Sequence, residues 1–160
     1  MKNKQIVIFK LQGHEFGVDI KKVVEILNYE PVRPIPEVPQ YIEGIINVRG
    51  TIYPIFNLCK RLGIEGKQEK NECKFILLQV EENKVGFLVD SVAEILSIEE
   101  IWVQGLPEML DRRGVNCTET IVKLEDKMII VLDVKMIISE EKKIFIQGVS
   151  NEEHSSSNAK

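Results

Sequence analysis

Histidine and catalytic motifs are both scarce in this sequence. Its 160 residues include two histidines, His14 in a predicted turn and His154 in a polar C-terminal stretch. Neither position suggests a metal ligand or the base of a catalytic triad. The chain also lacks a glycine-rich dinucleotide loop, a Walker A loop and an HExxH zinc motif. We therefore predict a protein that is not an enzyme and that needs no cofactor or metal.

Cysteine is present, but not in a pattern typical of metal sites or disulfide frameworks. Cys59, Cys73 and Cys117 are odd in number and widely spaced, which predicts reduced, partly buried thiols. No apolar run approaches the roughly 20 residues of a membrane-spanning helix. Residues 1–5 are polar and do not open a signal peptide. These absences predict a cytoplasmic protein with no direct membrane insertion.

The charge balance is mildly acidic, with a formal net charge of −4. Because phosphate backbones are bound by concentrated basic surfaces, we expect no nucleic-acid partner. Hydrophobic residues make up 44% and charged residues 29% of the chain, which is the balance of an ordinary globular domain.

Short β-branched runs separated by turn residues make up most of the chain, and they predict a mainly β fold. The proline-rich residues 30–40 predict an extended connector, and the polar stretch 63–73 predicts a loop between two halves. Short helical turns are expected from Asp19 through Ile26, from Asn57 through Leu62 and from Asp133 through Ile138. Strands are predicted at 6–11, 15–18, 44–48, 51–56, 75–80, 85–89, 92–98, 120–124 and 127–132.

The two halves of the chain resemble each other in register. Residues 6–27 align without a gap with residues 75–96, an offset of 69 (75 minus 6), and residues 45–62 align with 121–138, an offset of 76 (121 minus 45). Chance remains an alternative for either match alone, because apolar strands resemble one another. The simplest interpretation is two similar small β-barrels related by an approximate two-fold axis. Barrels of this size should pack together, and their junction should form an apolar groove.

One segment is distinctive, the hairpin from Glu43 to Leu58 with Asn47-Val48-Arg49-Gly50-Thr51 at its centre. It resembles the signature hairpin of the CheW family, which also occurs in the regulatory domain of the CheA kinase. Residues 16–26, 85–90 and 129–133 are similar to further blocks of that family, in the same order. The resemblance extends over about residues 5–140.

This resemblance implies a mainly β architecture of two SH3-like five-stranded β-barrels related by pseudo-two-fold symmetry, with short helices. Residues 1–147 would form one CheW-like domain of two packed barrel subdomains, and residues 148–160 a disordered polar tail. The implied function is a chemotaxis adaptor, or scaffold, that couples methyl-accepting chemoreceptors to the histidine kinase CheA. Its partners would be the cytoplasmic tip of the receptor and the regulatory domain of the kinase.

The resemblance also points to a set of candidate binding residues. The groove between the barrels, with the first-barrel face around Val23, Ile45 and Arg49, would receive the receptor helical hairpin, and an exposed barrel end would meet the kinase. The residues at or beside family positions linked to this coupling are Val23, Glu25, Gly44, Ile45, Arg49 and Asp90.

Several of these residues also have an interpretation that involves no partner. The Arg49 guanidinium can pair within the chain, with Glu25 or Glu43 as candidates. Gly44 can serve backbone conformation alone. Val23 can be a core residue by its spacing, and Glu25 can be a plain surface residue.

Two other functions stay open at this point. A small-molecule enzyme, such as a hydrolase on a β-barrel scaffold, would be indicated by titratable residues that converge in a deep pocket. A CheW-like adaptor in a non-chemotactic kinase pathway would have the same fold. The chain also departs from the family pattern at several positions, among them Asn57, where Asp is usual.

Overall fold

The computed structural model describes residues 4–107 and 117–138, and these residues are mainly β. The predicted polar tail, residues 148–160, lies outside the described residues. The strands are β1 (Lys4–Leu11), β2 (His14–Asp19), β3 (Val23–Asn28), β4 (Ile42–Val48), β5 (Thr51–Asn57), β6 (Lys74–Val80), β7 (Asn83–Val89), β8 (Ser91–Ile98), β9 (Val103–Gln104), β10 (Thr118–Leu124) and β11 (Lys127–Leu132).

Within the described part of the chain, the strands form two mixed sheets. The five-stranded sheet, which we call the first unit, has the order β3-β6-β7-β5-β4, and the six-stranded sheet, the second unit, has the order β8-β1-β2-β11-β10-β9. Neighbours are antiparallel except for β5 with β7 and β11 with β2, which are parallel. In these residues the two edge strands of a sheet are not hydrogen-bonded to each other. The mainly β class is thus confirmed, whereas closed SH3-like barrels are not.

Each sheet combines strands from both halves of the chain. The β1–β2 hairpin lies in the second unit, and its repeat mate, the β6–β7 hairpin, lies in the first unit with β3, β4 and β5. The registers are equivalent, since Val131 is opposite Gly17 in one sheet and Ile55 is opposite Gly86 in the other. The internal repeat is therefore visible in the strand pairing. The two halves exchange their first hairpins, because each half contributes its first hairpin to the sheet formed by the remaining strands of the other half.

Glycines at equivalent positions leave room for isoleucine side chains in both sheets. A Cβ on Gly17 would lie 2.8 Å from Cδ1 of Ile6, and a Cβ on Gly86 would lie 2.6 Å from Cδ1 of Ile55. Any larger residue would displace an isoleucine that fills the interior of its unit. The repeated glycine thus has a packing cause in both sheets.

In the part of the chain that the structure describes, apolar side chains pack in three clusters, one inside each unit and one between the units. On β1, Ile6 and Ile8 belong to the cluster inside the second unit, while Val7 and Phe9 belong to the central cluster. Both faces of β1 are buried, which accounts for its continuous apolar run. Further members of the central cluster are Phe16, Val18, Phe56, Leu58, Ile76, Leu78, Phe87, Leu132, Val134 and Ile137.

The central cluster fills most of the junction between the units with the chain's own side chains. The expected open apolar groove along this junction is therefore wrong over its central area, because the apolar faces of the two sheets pack directly on each other. An opening remains at one edge of the junction. It is a cleft of about 380 Å³ lined by His14, Glu15, Phe16, Ile64, Ile121, Met128 and Ile130.

Two short helices follow equivalent strands. Helix α1 (Leu58–Leu62) begins at Asn57, whose side chain accepts a hydrogen bond from the Lys60 amide, and ends at Gly63 with φ +73°. Helix α2, residues 134–138, begins after Asp133, which accepts from the Met136 amide at 3.0 Å. The predictions at both positions are confirmed. None of the helices in the described ranges has the length and hydropathy to span a bilayer.

The helix predicted from Asp19 through Ile26 is wrong beyond its first turn. Asp19 does cap a 3₁₀ turn over Ile20–Lys22. The chain then becomes β3, which pairs with β6 and has a bulge between Val23 and Glu25. Its β-branched residues fit a pleated strand better than a helix.

Candidate partner-binding surface

An ion pair between Arg49 and Glu25 marks one corner of the first unit. We call this pair the Arg49 corner. Arg49 lies in the β4–β5 turn with 72% of its side chain exposed, and Glu25 lies on β3. The hydrogen bond and the charge of Glu25 raise the pKa of Arg49. Of the two intramolecular partners suggested by the sequence, the structure shows Glu25.

The Arg49 corner connects the two edge strands of the five-stranded sheet, β3 and β4. Edge strands of a flat sheet of this width would be about 19 Å apart, since neighbouring strands are spaced about 4.8 Å. A direct contact between side chains on β3 and the β4–β5 turn therefore means that the sheet is strongly curled. The curl encloses the apolar cluster of this unit, which includes Tyr53, Ile55, Phe75, Leu77 and Leu88.

The β4–β5 turn itself follows from its sequence. Arg49 and Gly50 both have positive φ, +50° and +89°, as a two-residue type I′ hairpin turn requires. The Gly50 amide donates to the side chain of Asn47 at 2.8 Å. This turn presents the arginine at the tip of the hairpin.

Gly44 is buried beneath the proline-rich connector and does not form part of an exposed surface. It has φ +142°, and a Cβ on it would lie 2.0 Å from the carbonyl oxygen of Arg33. Ile45 and Arg33 exchange two backbone hydrogen bonds of 2.9 Å. The close approach of the connector therefore requires glycine at this position. This agrees with the interpretation that Gly44 serves backbone conformation and not partner binding.

Ile45 contributes to an apolar area on the outer side of the hairpin. It lies opposite Pro54 in the β4–β5 register, and both are half-buried. Ile52 lies on the same side of β5 as Pro54 and is 49% exposed. We call Ile45, Ile52 and Pro54 the β4–β5 face. Sequence reasoning missed Ile52, although the alternation of β5 around the buried Tyr53 pointed to it.

Val23 lies at the start of β3 and packs against the central cluster, so its position favours the core interpretation. The bulge that follows it leaves Val24 half exposed, and Ile26 is exposed to a similar degree. These two neighbours, rather than Val23, supply the accessible apolar surface of β3.

Asp90 lies in a different environment from the other candidate residues. Its carboxylate accepts two hydrogen bonds of 2.6 Å, one from the backbone N–H of Gln12 and one from the side-chain amide of Gln68. It thereby connects the β1–β2 turn of one unit with the loop 63–73 that leaves the other. Asp90 also accepts a long hydrogen bond of 4.0 Å from the Cys59 thiol on α1, and none of its described contacts is with the Arg49 corner.

A buried polar network lies next to Asp90. Asn57 is 1% exposed, and its side-chain amide donates to Glu43 at 2.8 Å and to Gln68 at 3.0 Å. Glu43 also pairs with Lys70 at 3.2 Å and Lys60 at 3.4 Å. Burial opposes ionisation of Glu43, but the bonds from Asn57 and Lys70 and the lysine charges outweigh it and lower its pKa.

A family model for the CheW-like domain matches residues 5–142. The chain belongs to this family. The chemotaxis protein CheW of Treponema pallidum is 35% identical over 139 residues, which cover 84% of this chain and 82% of that protein. The CheW of Thermotoga maritima is 31% identical over 140 residues, which cover 88% and 91%. The crystal structure of scaffolding protein TtCheW from Thermoanaerobacter tengcongensis matches with a TM-score of 0.74 and 34% identity, covering 82% of this chain and 89% of that one.

These similarities confirm the family resemblance found in the sequence. The hydrogen bonds of Asn57 give a physical reason for the departure at this position. An aspartate there would put a second carboxylate against Glu43, whereas the asparagine amide donates to it and still caps α1. The exchange is thus coupled to Glu43 within this CheW-like domain.

The CheW family is a family of scaffold proteins and is not known for catalysis. Two observations on this chain bear on the enzyme alternative. Burial, together with the charge of Asp90, raises the pKa of Cys59 to about 11, and Cys73 is raised to about 11 in the same way. Such thiols stay protonated at neutral pH and are poor nucleophiles. Over residues 4–107 and 117–138, no cluster of three or more His, Cys, Asp or Glu side chains is arranged to hold a metal.

The second unit carries a counterpart of the β4–β5 face. With the offset of 76, Ile45, Ile52 and Pro54 correspond to Ile121, Met128 and Ile130. We call these three the β10–β11 face. They line the cleft at the edge of the junction, and Met128 is 66% exposed. The CheW-like domain thus has two related apolar faces, one on each unit.

Proposed function

We propose that this protein is a cytoplasmic chemotaxis adaptor that couples methyl-accepting chemoreceptors to the histidine kinase CheA. The observation that carries the proposal is its membership of the CheW family over residues 5–142, together with its similarity to a solved scaffolding protein of that family. In this proposal residues 1–147 act as one CheW-like domain, and the protein transmits a change in the relative orientation of its partners.

The Arg49 corner and the β4–β5 face support a binding site for a receptor helix. Arg49 offers a planar group with five donors that suits carboxylates, and it is 72% exposed. Ile52 and Ile45 offer apolar area beside it. A polar group at the edge of a small apolar patch is typical of reversible protein interfaces. Val23, Glu25 and Gly44 would support this surface from within the chain, with Glu25 orienting Arg49.

The kinase would bind elsewhere on the same domain. Because the two units are related by the repeat, a partner built on the same fold can meet one of them end to end. We propose that each unit is a barrel of the SH3 type. Two contacts at the edge strands of the first unit support this. The Arg49–Glu25 pair joins the β4–β5 turn to β3, and the Arg33–Ile45 hydrogen bonds pair the connector with the free edge of β4. Asp90 would contribute by holding loop 63–73 in place.

A direct binding experiment tests this function. The purified chain is titrated by calorimetry with a CheA regulatory domain and, separately, with a fragment of a receptor cytoplasmic tip. We expect saturable binding to both, and kinase activation only when receptor, kinase and this protein are combined. Binding to neither partner would contradict the proposal. Binding to a kinase domain without receptor binding would instead point to a non-chemotactic kinase pathway.

A further inference from the structure

Within residues 4–107, the chain passes twice between the two units. Residues 20–22 connect β2 of the second unit to β3 of the first, and Asp90 alone connects β7 of the first unit to β8 of the second. The first crossing is a 3₁₀ turn that is capped by its neighbour Asp19. The second crossing is one residue between strands of different sheets. The groups that hold Asp90 therefore bear on the angle between the units.

Two short hydrogen bonds hold the Asp90 carboxylate from opposite units. Oδ2 accepts from the backbone N–H of Gln12, in the β1–β2 turn of the second unit, at 2.6 Å. Oδ1 accepts from the side-chain amide of Gln68, in the loop that leaves the first unit, also at 2.6 Å. Hydrogen bonds to a carboxylate are stronger than those between neutral groups. We call Asp90, Gln12 and Gln68 the Asp90 link.

The same loop has further contacts with each unit. The side-chain amide of Gln12 donates to the carbonyl oxygen of Lys67 at 2.9 Å. Toward the first unit, Gln68 accepts at 3.0 Å from Asn57, which is buried and caps α1. Gly66 lies so close to the β1–β2 turn that a Cβ on it would be 2.1 Å from Oε1 of Gln12. The loop therefore bridges α1 of the first unit and the β1–β2 turn of the second.

The repeat provides a comparison for this bridge. By the offset of 69, Gln12 corresponds to Glu81, and the two have similar positive φ of +51° and +58°. Glu81 pairs with Lys135 on α2 at 3.2 Å, and both side chains are more than half exposed. Exposed ion pairs add little to stability. The two sides of the junction are therefore held unequally, by partly buried hydrogen bonds at Gln12 and by a solvated ion pair at Glu81.

The central cluster and the Asp90 link have different physical effects on the junction. Burial of apolar surface holds the units together, but it is not directional. Hydrogen bonds weaken steeply when their distance or angle changes. Rotation of one unit against the other would separate Gln12 from Gln68, which Asp90 joins through its two carboxylate oxygens.

We propose that the Asp90 link fixes the angle between the two units, with Gln12 and Gln68 as positioning residues that act through Asp90. Without the link, the units stay folded and in contact but sample more than one relative orientation. One consequence rests on the proposed function. Because each proposed binding surface lies within one unit, loss of the link should lower kinase activation without weakening the binding of either partner alone.

Residual dipolar couplings of the backbone amides of the full chain test the angle. In the parent chain, one alignment tensor should describe both units. Gln68→Ala removes a bond to Asp90, so each unit should still fit its own coordinates while the two units need tensors of different magnitude. Gln5→Ala is the matched control, because Gln5 donates to Ser97 at 3.3 Å within the second unit. One tensor should suffice for this control.

Several results would overturn the proposal. They are a single tensor with the parent orientation in Gln68→Ala, or separate tensors in the parent chain or in Gln5→Ala. If Gln68→Ala does not fold, hydrogen exchange of the parent chain decides the matter. The Gln12 N–H lies in a turn and is expected to exchange slowly, because it donates to Asp90. Rapid exchange of this N–H would refute the link.

Kinase activation separates this proposal from the proposed function. If the parent angle is populated about half of the time in Gln68→Ala, activation in the combined assembly should fall about two-fold. The calorimetric affinities for the receptor fragment and the kinase domain should equal those of Gln5→Ala. Unchanged activation would refute the consequence for coupling alone. Binding of neither partner by the parent chain would contradict the adaptor function and leave the dipolar couplings as the test of the link.

Discussion

The Arg49 corner of the first unit and its counterpart in the second unit have the same turn conformation but different charges. Arg49 corresponds to Glu125, with φ of +50° and +56°, and Glu25 corresponds to Glu94. The first corner holds an ion pair, while the second presents two exposed carboxylates that cannot pair. The repeat thus preserves what folding needs, namely strand registers and turns. The difference in charge lets a partner distinguish one end of the molecule from the other.

The largest expected effect concerns Gly44 and its counterpart Thr120. In Gly44→Ala the new Cβ would lie 2.0 Å from the Arg33 carbonyl oxygen at a φ of +142°, so either β4 or the connector has to move. We expect the free energy of unfolding to fall by about 3–4 kcal/mol in urea denaturation. Thr120→Ala loses one exposed hydrogen bond to Gln104, so about 1 kcal/mol or less is expected. Equal losses would show that Gly44 has no special packing role.

The next effect tests the charge difference between the two corners. Arg49→Glu makes the first corner resemble the second, and we expect receptor binding to weaken at least about 30-fold in calorimetry, as for an interface hot spot. The circular dichroism spectrum and melting temperature should hardly change, because the ion pair is exposed. Glu125→Arg is the matched control and should bind normally. Unfolding of the Arg49→Glu variant would show that the residue is structural.

A smaller effect on stability is expected where the two helix caps differ. Asn57→Asp keeps the cap of α1 but places a carboxylate against Glu43 and removes both donated hydrogen bonds, so a loss of about 2 kcal/mol is expected. Glu43→Gln in the same chain should restore most of it. The reverse exchange at the counterpart, Asp133→Asn, should cost less than about 0.5 kcal/mol, because both residues cap helices well. A large loss at Asp133, or no rescue by Glu43→Gln, would contradict the coupling.

The smallest effect is a pH dependence. The pKa of Glu43 is below its ordinary value of 4.5 in the folded protein, so the folded state binds fewer protons than the unfolded state. Its contribution to stability is present above pH 4.5 and is lost as the pH falls through the lowered pKa. Denaturation measured from pH 7 to pH 3 should show a smaller acid loss in Glu43→Gln than in the parent chain. Parallel curves would show that Glu43 does not contribute.

Local features of the fold could be predicted from the sequence where one residue type determines the backbone. The turn at Arg49-Gly50 and the caps at Asn57 and Asp133 are examples, because each depends on neighbours within a few residues. The sequence predicts a helix over part of β3 because Val24 and Ile26 are apolar although they lie on its exposed side, so burial alternates along this strand but hydrophobicity does not. The repeat contained the correction, since it aligns residues 23–27 with 92–96, which the sequence predicts as a strand and which lie in β8.

Long-range features could not be predicted in the same way. The exchange of hairpins and the filled junction depend on which sheet a strand joins, and apolar alternation leaves this open. The candidate site shows the same limit. The Arg49–Glu25 pair was one of two partners that the residues allowed, whereas the internal contacts of Asp90 involve Gln12 and Gln68, which are distant in sequence. The roles of the site residues in partner binding stay predictions.

The hairpin exchange means that neither half of the chain contains a complete sheet. If the backbone were cut in loop 63–73, the first fragment would hold three strands of one sheet and two of the other. Each fragment would need its counterpart to complete both cores, so the pieces would behave as a heterodimer whose stability depends on concentration. In the intact chain the linkage makes that association intramolecular. Both sheets are then assembled late, from contacts between distant residues, which favours slow and cooperative folding.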